Sequence, residues 1–240
     1  MRRGDFRWPK RPEPLSQVEE AAREAFMAAW HEELPKRYAV IERFNHGYVA
    51  ALGAPPEART LEVGAGIGGH LPFEDLSAQN YHVLDYRPEF CKRLAEQLPA
   101  ERVHLGTIEE RQSFPDGSFD RIIAIHVLEH LRNLPAALAE IARLLRSDGV
   151  FDVVIPTEGS LAYEFARKIS AERMFRHRFR LDYRPIARSE HVNTYQEVIS
   201  LLNVHFQKET SRYFPLLVPN PEINLVVGMR ARLRSAGGEG

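Results

Sequence analysis

The 240-residue chain has a single cysteine, Cys91, so it can form no disulfide within itself and no cysteine metal cluster. Long apolar runs are missing. Ile122–Ile125 and Leu225–Val227 fall far below the roughly 18 residues of a membrane span. The arginines near the N-terminus have no apolar stretch behind them, so no secretory signal is expected. Neither charge sign is in excess: 32 Lys and Arg stand against 33 Asp and Glu, a net charge of −1, which gives no global attraction for nucleic acid. What is present is ordinary globular usage, 44% hydrophobic and 27% charged. A chain of this length buries about 70% of its unfolded surface and needs no staples. The expectation is a soluble, cytoplasmic protein.

The chain divides by composition and period. Residues 1–16 are basic and Pro-rich and read as a mobile arm, and residues 235–240 as a disordered tail. Residues 17–56 hold two helices, Gln17–Leu34 and Lys36–Leu52, with apolar positions recurring at three and four and Gly53 as a stop. In 57–156, short apolar runs alternate with helical stretches. Arg59–Val63, Tyr81–Asp85, Val103–Leu105, Phe119–His126 and Val150–Ile155 read as strands, and Pro88–Leu98 and Pro135–Leu145 as the clearest helices. Strands alternating with helices require crossovers, hence a parallel sheet covered on both faces. The alternation lapses in 157–204, where Ser160–His177 reads as a helix and Thr194-x-x-Glu197 as a capping-box start. In 205–234, Phe206–Tyr213 and Glu222–Ala231 read as two strands. The link between them is too short for a crossover helix, so they are expected to be antiparallel.

The strongest signal is Thr60-Leu-Glu-Val-Gly-Ala-Gly-Ile-Gly-Gly-His70, a strand running into glycines 64, 66, 68 and 69. Gly64 permits a sharp turn, Gly66 and Gly68 let a ligand reach bare backbone, and a following helix would offer free amides. The spacing fits both a methyl-donor loop and a dinucleotide loop. Asp85, 21 residues past Gly64, suits a ribose with two hydroxyls. Glu62 discriminates between the two. It sits mid-strand, where a buried carboxylate is costly unless paired. A cationic ligand group could pair with it and a pyrophosphate could not, which favours S-adenosylmethionine.

Glu62-Val-Gly64-Ala-Gly66-Ile-Gly68, Asp85, Phe114-Pro-Asp-Gly-Ser-Phe-Asp120 and His126-Val-Leu-Glu-His130 resemble the consecutive motifs of class I S-adenosylmethionine-dependent methyltransferases of the type 11 kind, over roughly residues 58–156. The resemblance implies an α/β fold: a doubly wound, Rossmann-like seven-stranded sheet with its last strand antiparallel, plus N-terminal helices and a helical cap insertion. Carried over by position, Glu62, Gly64, Ala65, Gly66 and Gly68 would hold the methionine end of the S-adenosylmethionine cofactor. Asp85 would take the ribose hydroxyls and Tyr86 would lie against the adenine. Where the family usually has an acid after the glycine that ends strand three, this chain has Thr107. The adenine amine would then meet Thr107 or Glu109, with Ile108 packing the ring. The helix after the glycine loop is interrupted by Pro72.

By resemblance, His126 at the end of strand four borders the methyl group, as a general base or as a wall residue. His126, Glu129 and His130, with His191, also resemble the metal set of some relatives. A Glu-His pair that merely starts the next helix is the simpler reading, and no metal is expected. Segment 164–188 carries eight arginines and lysines against three acids, interleaved with aromatics. It reads either as a solvated helix face or as an anion-recognising cap. In the second case Arg176, Arg178 and Arg180 would share one face of an extended stretch, with Tyr183 and His191 nearby. The expected partner is a small, anionic or sugar-linked acceptor. RNA ranks lower because no RNA-binding module is attached. Two alternatives stay open. A nicotinamide-dependent oxidoreductase is disfavoured by Glu62 and by the lack of a Tyr-x-x-x-Lys pair. A non-catalytic S-adenosylmethionine-binding module differs from an enzyme only in turnover.

Overall fold

The computed structural model describes residues 8–37 and 39–234, and of residues 28–37 the backbone alone. Helices α1 (Gln17–Arg37) and α2 (Ala39–Leu52) precede the sheet. Strands β1 (Arg59–Val63), β2 (Asn80–Asp85), β3 (Val103–Leu105), β4 (Phe119–Ile125) and β5 (Leu145–Pro156) then alternate with α3 (Pro88–Leu94) and α4 (Leu134–Leu144). Helices α5 (Leu161–Arg167), α6 (Arg173–Phe179) and α7 (Arg184–Glu190) form the cap. Helix α8 (Tyr195–His205) leads into β6 (Phe206–Phe214) and β7 (Val226–Leu233). The strand order is β3-β2-β1-β4-β5-β7-β6. Strands β1 to β5 pair in parallel, and β7 runs antiparallel to both β5 and β6. This is the expected seven-stranded sheet with the last strand reversed.

Alternating residues send side chains to opposite faces of the sheet. On one face Leu61, Ile122, Phe151, Val153 and Met229 pack with Leu138 and Ile141 of α4 and Val198 and Leu202 of α8. On the other, Tyr81, Val83, Ile123 and Val154 pack under Val49, with Phe44 and Tyr48 also from α2. A third cluster joins α1 to the cap: Phe26 stands edge-on to Phe175 at 5.2 Å and to Tyr183 at 5.7 Å.

Several boundaries differ from the sequence reading. No α-helix follows the glycine loop. Pro72 leaves only a three-residue 3-10 turn, Leu71–Phe73, and α2 occupies the face beside it. Strand β5 begins at Leu145, directly after α4, because the Ser147-Asp148-Gly149 stretch stays in the strand. Helix α3 ends at Leu94. Residues 221–223 form a short 3-10 turn and β7 starts at Val226. The long cap helix is broken into α5 and α6 by a π-helical turn, Lys168–Glu172.

Within the basic arm, Trp8 and Lys10 are anchored. Trp8 packs on the α4 core, the Lys10 amide donates to the Arg132 carbonyl at 2.8 Å, and Lys10 Nζ donates to Val192 O at 2.7 Å and Glu197 Oε1 at 2.6 Å. Residues 1–7 and the expected tail at 235–240 lie outside the described residues.

Candidate active site

The carboxyl ends of the parallel strands gather the site. After Val63 the chain turns through Gly64, Gly66 and Gly68 with φ of +67°, +57° and +85°. At Gly64 a side chain is barred twice, by the left-handed backbone and by Val127, whose Cγ2 would lie 2.6 Å from an added Cβ. At Gly66 nothing lies within 4 Å of that position, so the backbone there faces open space that a ligand can enter. Asp85 fixes the loop from β2: Oδ2 accepts the Gly66 amide and Oδ1 the Arg87 amide, each at 2.9 Å. A carboxylate oxygen has a second lone pair, so both oxygens can still accept from a ligand hydroxyl.

Tyr86 is exposed, with the Arg87 guanidinium 5.0 Å from its ring centre. Thr107 Oγ1 accepts the Glu109 amide at 3.3 Å, and the Glu109 carboxylate accepts the Asn133 amide at the start of α4. Ile108 is already buried in the α4 core and forms the floor of this wall.

Glu62 is buried, and the Tyr81 hydroxyl donates to its Oε2 at 3.0 Å. Burial pushes this carboxyl up to about 8, against the Tyr81 hydrogen bond. Alongside it lies an ionic network that the sequence reading missed. Arg121 is fully buried. Its Nε donates to Asp152 at 2.7 Å, its Nη1 to both Glu74 oxygens at 2.9 Å and its Nη2 to the Val49 carbonyl at 2.8 Å. Arg230 from β7 completes the coordination of Asp152 and reaches the carbonyls of Leu52 and Gly53 at the end of α2. Glu74 also pairs with His70 at 3.0 Å, and His70 stacks on His46 of α2 at 5.4 Å. His46 Nε2 would lie 3.6 Å from a Cβ at Gly69. Helix α2 thus supplies the wall that the missing helix would have supplied.

His126 ends β4 in a left-handed conformation, φ 53°, held by its amide bond to Val154 O at 2.9 Å. Its Nδ1 lies 3.1 Å from Glu129 Oε1, and its buried Nε2 has no partner among the described residues. Burial alone would raise Glu129, but the His126 hydrogen bond and the charges of His130, His126 and His191 bring it down to about 2. An ionised Glu129 can only accept, so Nδ1–H donates to it, and in the neutral imidazole that tautomer carries its free lone pair on Nε2. Asn193 braces this turn by donating to the Leu128 and Leu131 carbonyls, both at 2.7 Å. Beside it, His191 Nδ1 pairs with Glu158 Oε2 at 2.7 Å, and burial, which would lower His191, is outweighed by that carboxylate. Tyr163 Oη is 3.3 Å from the same nitrogen. Glu42 of α2 is held low by His46 and feels the charge of His126. Asn45 Oδ1, on the same helix, is buried and unpartnered among the described residues. Glu42, Asn45, His46 and Glu158 carried no motif. Glu158 alone had a usable signal, an acid just past the end of a strand. Among the described residues no cluster of three or more His, Cys, Asp or Glu side chains is set to hold a metal.

The structure corrects the geometry of the basic segment. Arg176 and Arg178 lie on α6 and Arg180 ends it at φ 59°, so the three do not share the face of an extended stretch. Arg176 and Arg180, with Arg167, Lys168, Arg184 and Arg188, line a groove of about 720 Å³. Arg178 is not part of that lining; its guanidinium lies 5.6 Å from the Phe179 ring centre. Arg176 pairs with Glu172, Arg184 with Asp182, and Arg167 with Glu164 and Glu158. Glu158 therefore links the groove to His191. Tyr183 belongs to the α1–cap cluster, and burial raises its hydroxyl to about 12.

Part of the sequence, and the fold, have counterparts among known proteins. Residues 61–153 match the family model of a methyltransferase domain, type 11. A sterol 24-C-methyltransferase of Aspergillus fumigatus is 31% identical over 122 residues, which are 48% of this chain and 32% of that protein. A ubiquinone biosynthesis O-methyltransferase of Rhodopseudomonas palustris is 33% identical over 99 residues, 38% of this chain and 37% of that protein. The chain spans about a third of the length of these curated relatives. In fold it resembles a solved S-adenosylmethionine-dependent methyltransferase of Thermotoga maritima described as a possible histamine N-methyltransferase. That match has a TM-score of 0.60 and 16% identity, covering 88% of this chain and 99% of the other.

Proposed function

We propose, for a chain that belongs to the class I S-adenosylmethionine-dependent methyltransferases, that it passes the methyl group to a small acceptor held between α2 and the cap. The residues present suit the donor. Gly66 faces open space, and Glu62, four residues before it in sequence, is a buried carboxyl that could pair with an ammonium. Asp85 would hold the ribose, and Tyr86 with Thr107 and Glu109 would border the adenine. When bound, the donor supplies a methyl carbon already activated by a sulfonium.

The chain's own part is then to orient the acceptor and to move one proton. His126 carries this reading: Glu129 fixes its Nδ1 as the donor, and its buried Nε2 is left without a partner among the described residues. With the donor bound and leaving as its thioether, Nε2 would receive the proton of the acceptor's O–H or N–H, and Glu129 would stabilise the imidazolium. His191 and Glu158 lie between this centre and the basic groove, which favours an acceptor with an anionic group away from its reacting atom. Incubation with labelled donor and a panel of small metabolites tests the reading. Transfer that His126→Ala abolishes without weakening donor binding supports it. Tighter binding of NAD than of S-adenosylmethionine would overturn it.

A further inference from the structure

The helical cap also carries an apolar stripe that the proposed reaction does not use, although its basic rim shares Lys168, Arg176 and Arg180 with the groove. Leu161, Phe165 and Ile169 recur every four residues along α5 and into the π turn, and all three are exposed, Phe165 by 65%. Beside them, the loop between β6 and β7 shows Leu216, Leu217 and Val218 in succession, with Leu217 exposed by 71%, and then Ile223. The two segments are adjacent: the Leu161 amide donates to Glu222 at 3.0 Å and α5 packs against the 221–223 turn. Seven large apolar side chains thus lie on neighbouring segments, where scattered single ones would need no explanation.

The loop is braced to show them. Asn224 is fully buried. Its Oδ1 accepts the Leu216 amide at 2.7 Å, and its Nδ2 donates to Val218 O at 3.0 Å and Asn220 O at 2.9 Å. A buried side chain that makes three bonds to one loop sets the shape of its apolar tip before any partner arrives.

The rim of this patch is basic. Ile169 shares a surface hollow with Lys168, Arg173, Arg176, His177 and Arg180. Along Leu161–Arg180 six arginines and lysines stand against two glutamates, in a protein of net charge −1. Apolar side chains at the centre with cations at the edge match the acyl–headgroup boundary of an anionic bilayer, where the apolar groups enter and the cations meet lipid phosphates.

We propose that α5, α6 and the 214–223 loop form a docking surface for an anionic membrane, on which the protein sits peripherally. The apolar stripe supplies the insertion and the arginines the preference for negative lipid. The surface is separate from the donor loop, so docking and donor binding fail independently.

Co-sedimentation of the full chain with vesicles of phosphatidylcholine, with and without phosphatidylglycerol, tests this. Binding is expected to the anionic vesicles, to weaken with added salt, and to fall roughly tenfold or more in Leu217→Glu and in Phe165→Glu, since each loses the burial of one large apolar side chain. Val204→Glu, at an exposed apolar position on α8, should bind as the unaltered chain does. Both target side chains are exposed, so thermal melting should be unchanged. Absence of binding, equal binding to both vesicle types, or equal binding by Leu217→Glu and Val204→Glu would overturn the proposal. So would a dimer in sedimentation velocity that Leu217→Glu dissociates, because the patch would then be a contact between two copies.

Discussion

Glu129 lies 3.1 Å from His126 Nδ1 and is itself buried, so the imidazole is oriented by a carboxylate screened from water. If His126 is the base, His126→Ala should lower kcat by roughly a hundredfold to ten-thousandfold, with donor affinity intact. Glu129→Gln keeps the shape and removes the charge, so kcat should fall while KM moves little. Steady-state kinetics beside donor calorimetry separates the two effects.

Glu129 also makes a prediction about stability. Its folded value, about 2, lies below the ordinary 4.5, so its contribution is complete above pH 4.5 and is lost as pH falls towards 2. In Glu129→Gln the acid limb of a denaturation series over that window should flatten. An unchanged limb would mean that the carboxylate is not held as described.

Glu62 behaves in the opposite sense. Its folded value, about 8, lies above 4.5, so it favours the folded state at low pH and costs stability as pH rises from about 4.5 to 8. Below pH 8 the Glu62 carboxyl holds a proton that a bound cation would expel. Calorimetry in buffers of different ionisation enthalpy should show proton release on S-adenosylmethionine binding at pH 7, and none in Glu62→Gln.

On the ribose side, Asp85→Ala removes the acceptor for the Gly66 amide as well as for the ligand. Donor affinity should drop on the order of tenfold to a hundredfold, the loss of one charged hydrogen bond. Gly66→Val places a branched residue at φ +57° and fills the open approach, so binding should fall at least as far. Calorimetry that finds full affinity in both variants would remove the donor loop from its assigned place.

Arg121→Met would leave Asp152 and Glu74 with one fewer cation in a buried setting. A loss of about 3–5 kcal/mol is expected, read as a lowered denaturation midpoint. An Arg121→Met, Asp152→Leu double variant should recover part of it, because a pair removed together leaves less buried charge uncompensated.

The sheet was legible because its information is local. Runs such as Ile122–Ile125 are apolar and rich in β-branched residues, and the order of motifs from Glu62 to His130 places the strand ends. What the sequence hid was non-local. Nothing in Glu42, Asn45 or His46 says that α2 will cover the loop of Gly64 to Gly69, since that follows from Pro72 cutting short the next helix. Arg121 and Arg230 carry no motif, and their partners, Asp152 and the carbonyls at the end of α2, come from distant elements. Arg176, Arg178 and Arg180 alternate in sequence, yet a helix separates them by 100° a residue and not by 180°.

Arg230 donates to the Leu52 carbonyl across 178 positions of sequence. Ribosomal synthesis makes α2 well before β7, so the carbonyls at the end of that helix stay in water until that strand arrives. Closure between an earlier and a later element delays the assembly of this domain until β7 has emerged. A nascent chain arrested before residue 226 would therefore expose the Phe44, Tyr48 and Val49 face of α2, and protease sensitivity there would report how far the ribosome has travelled.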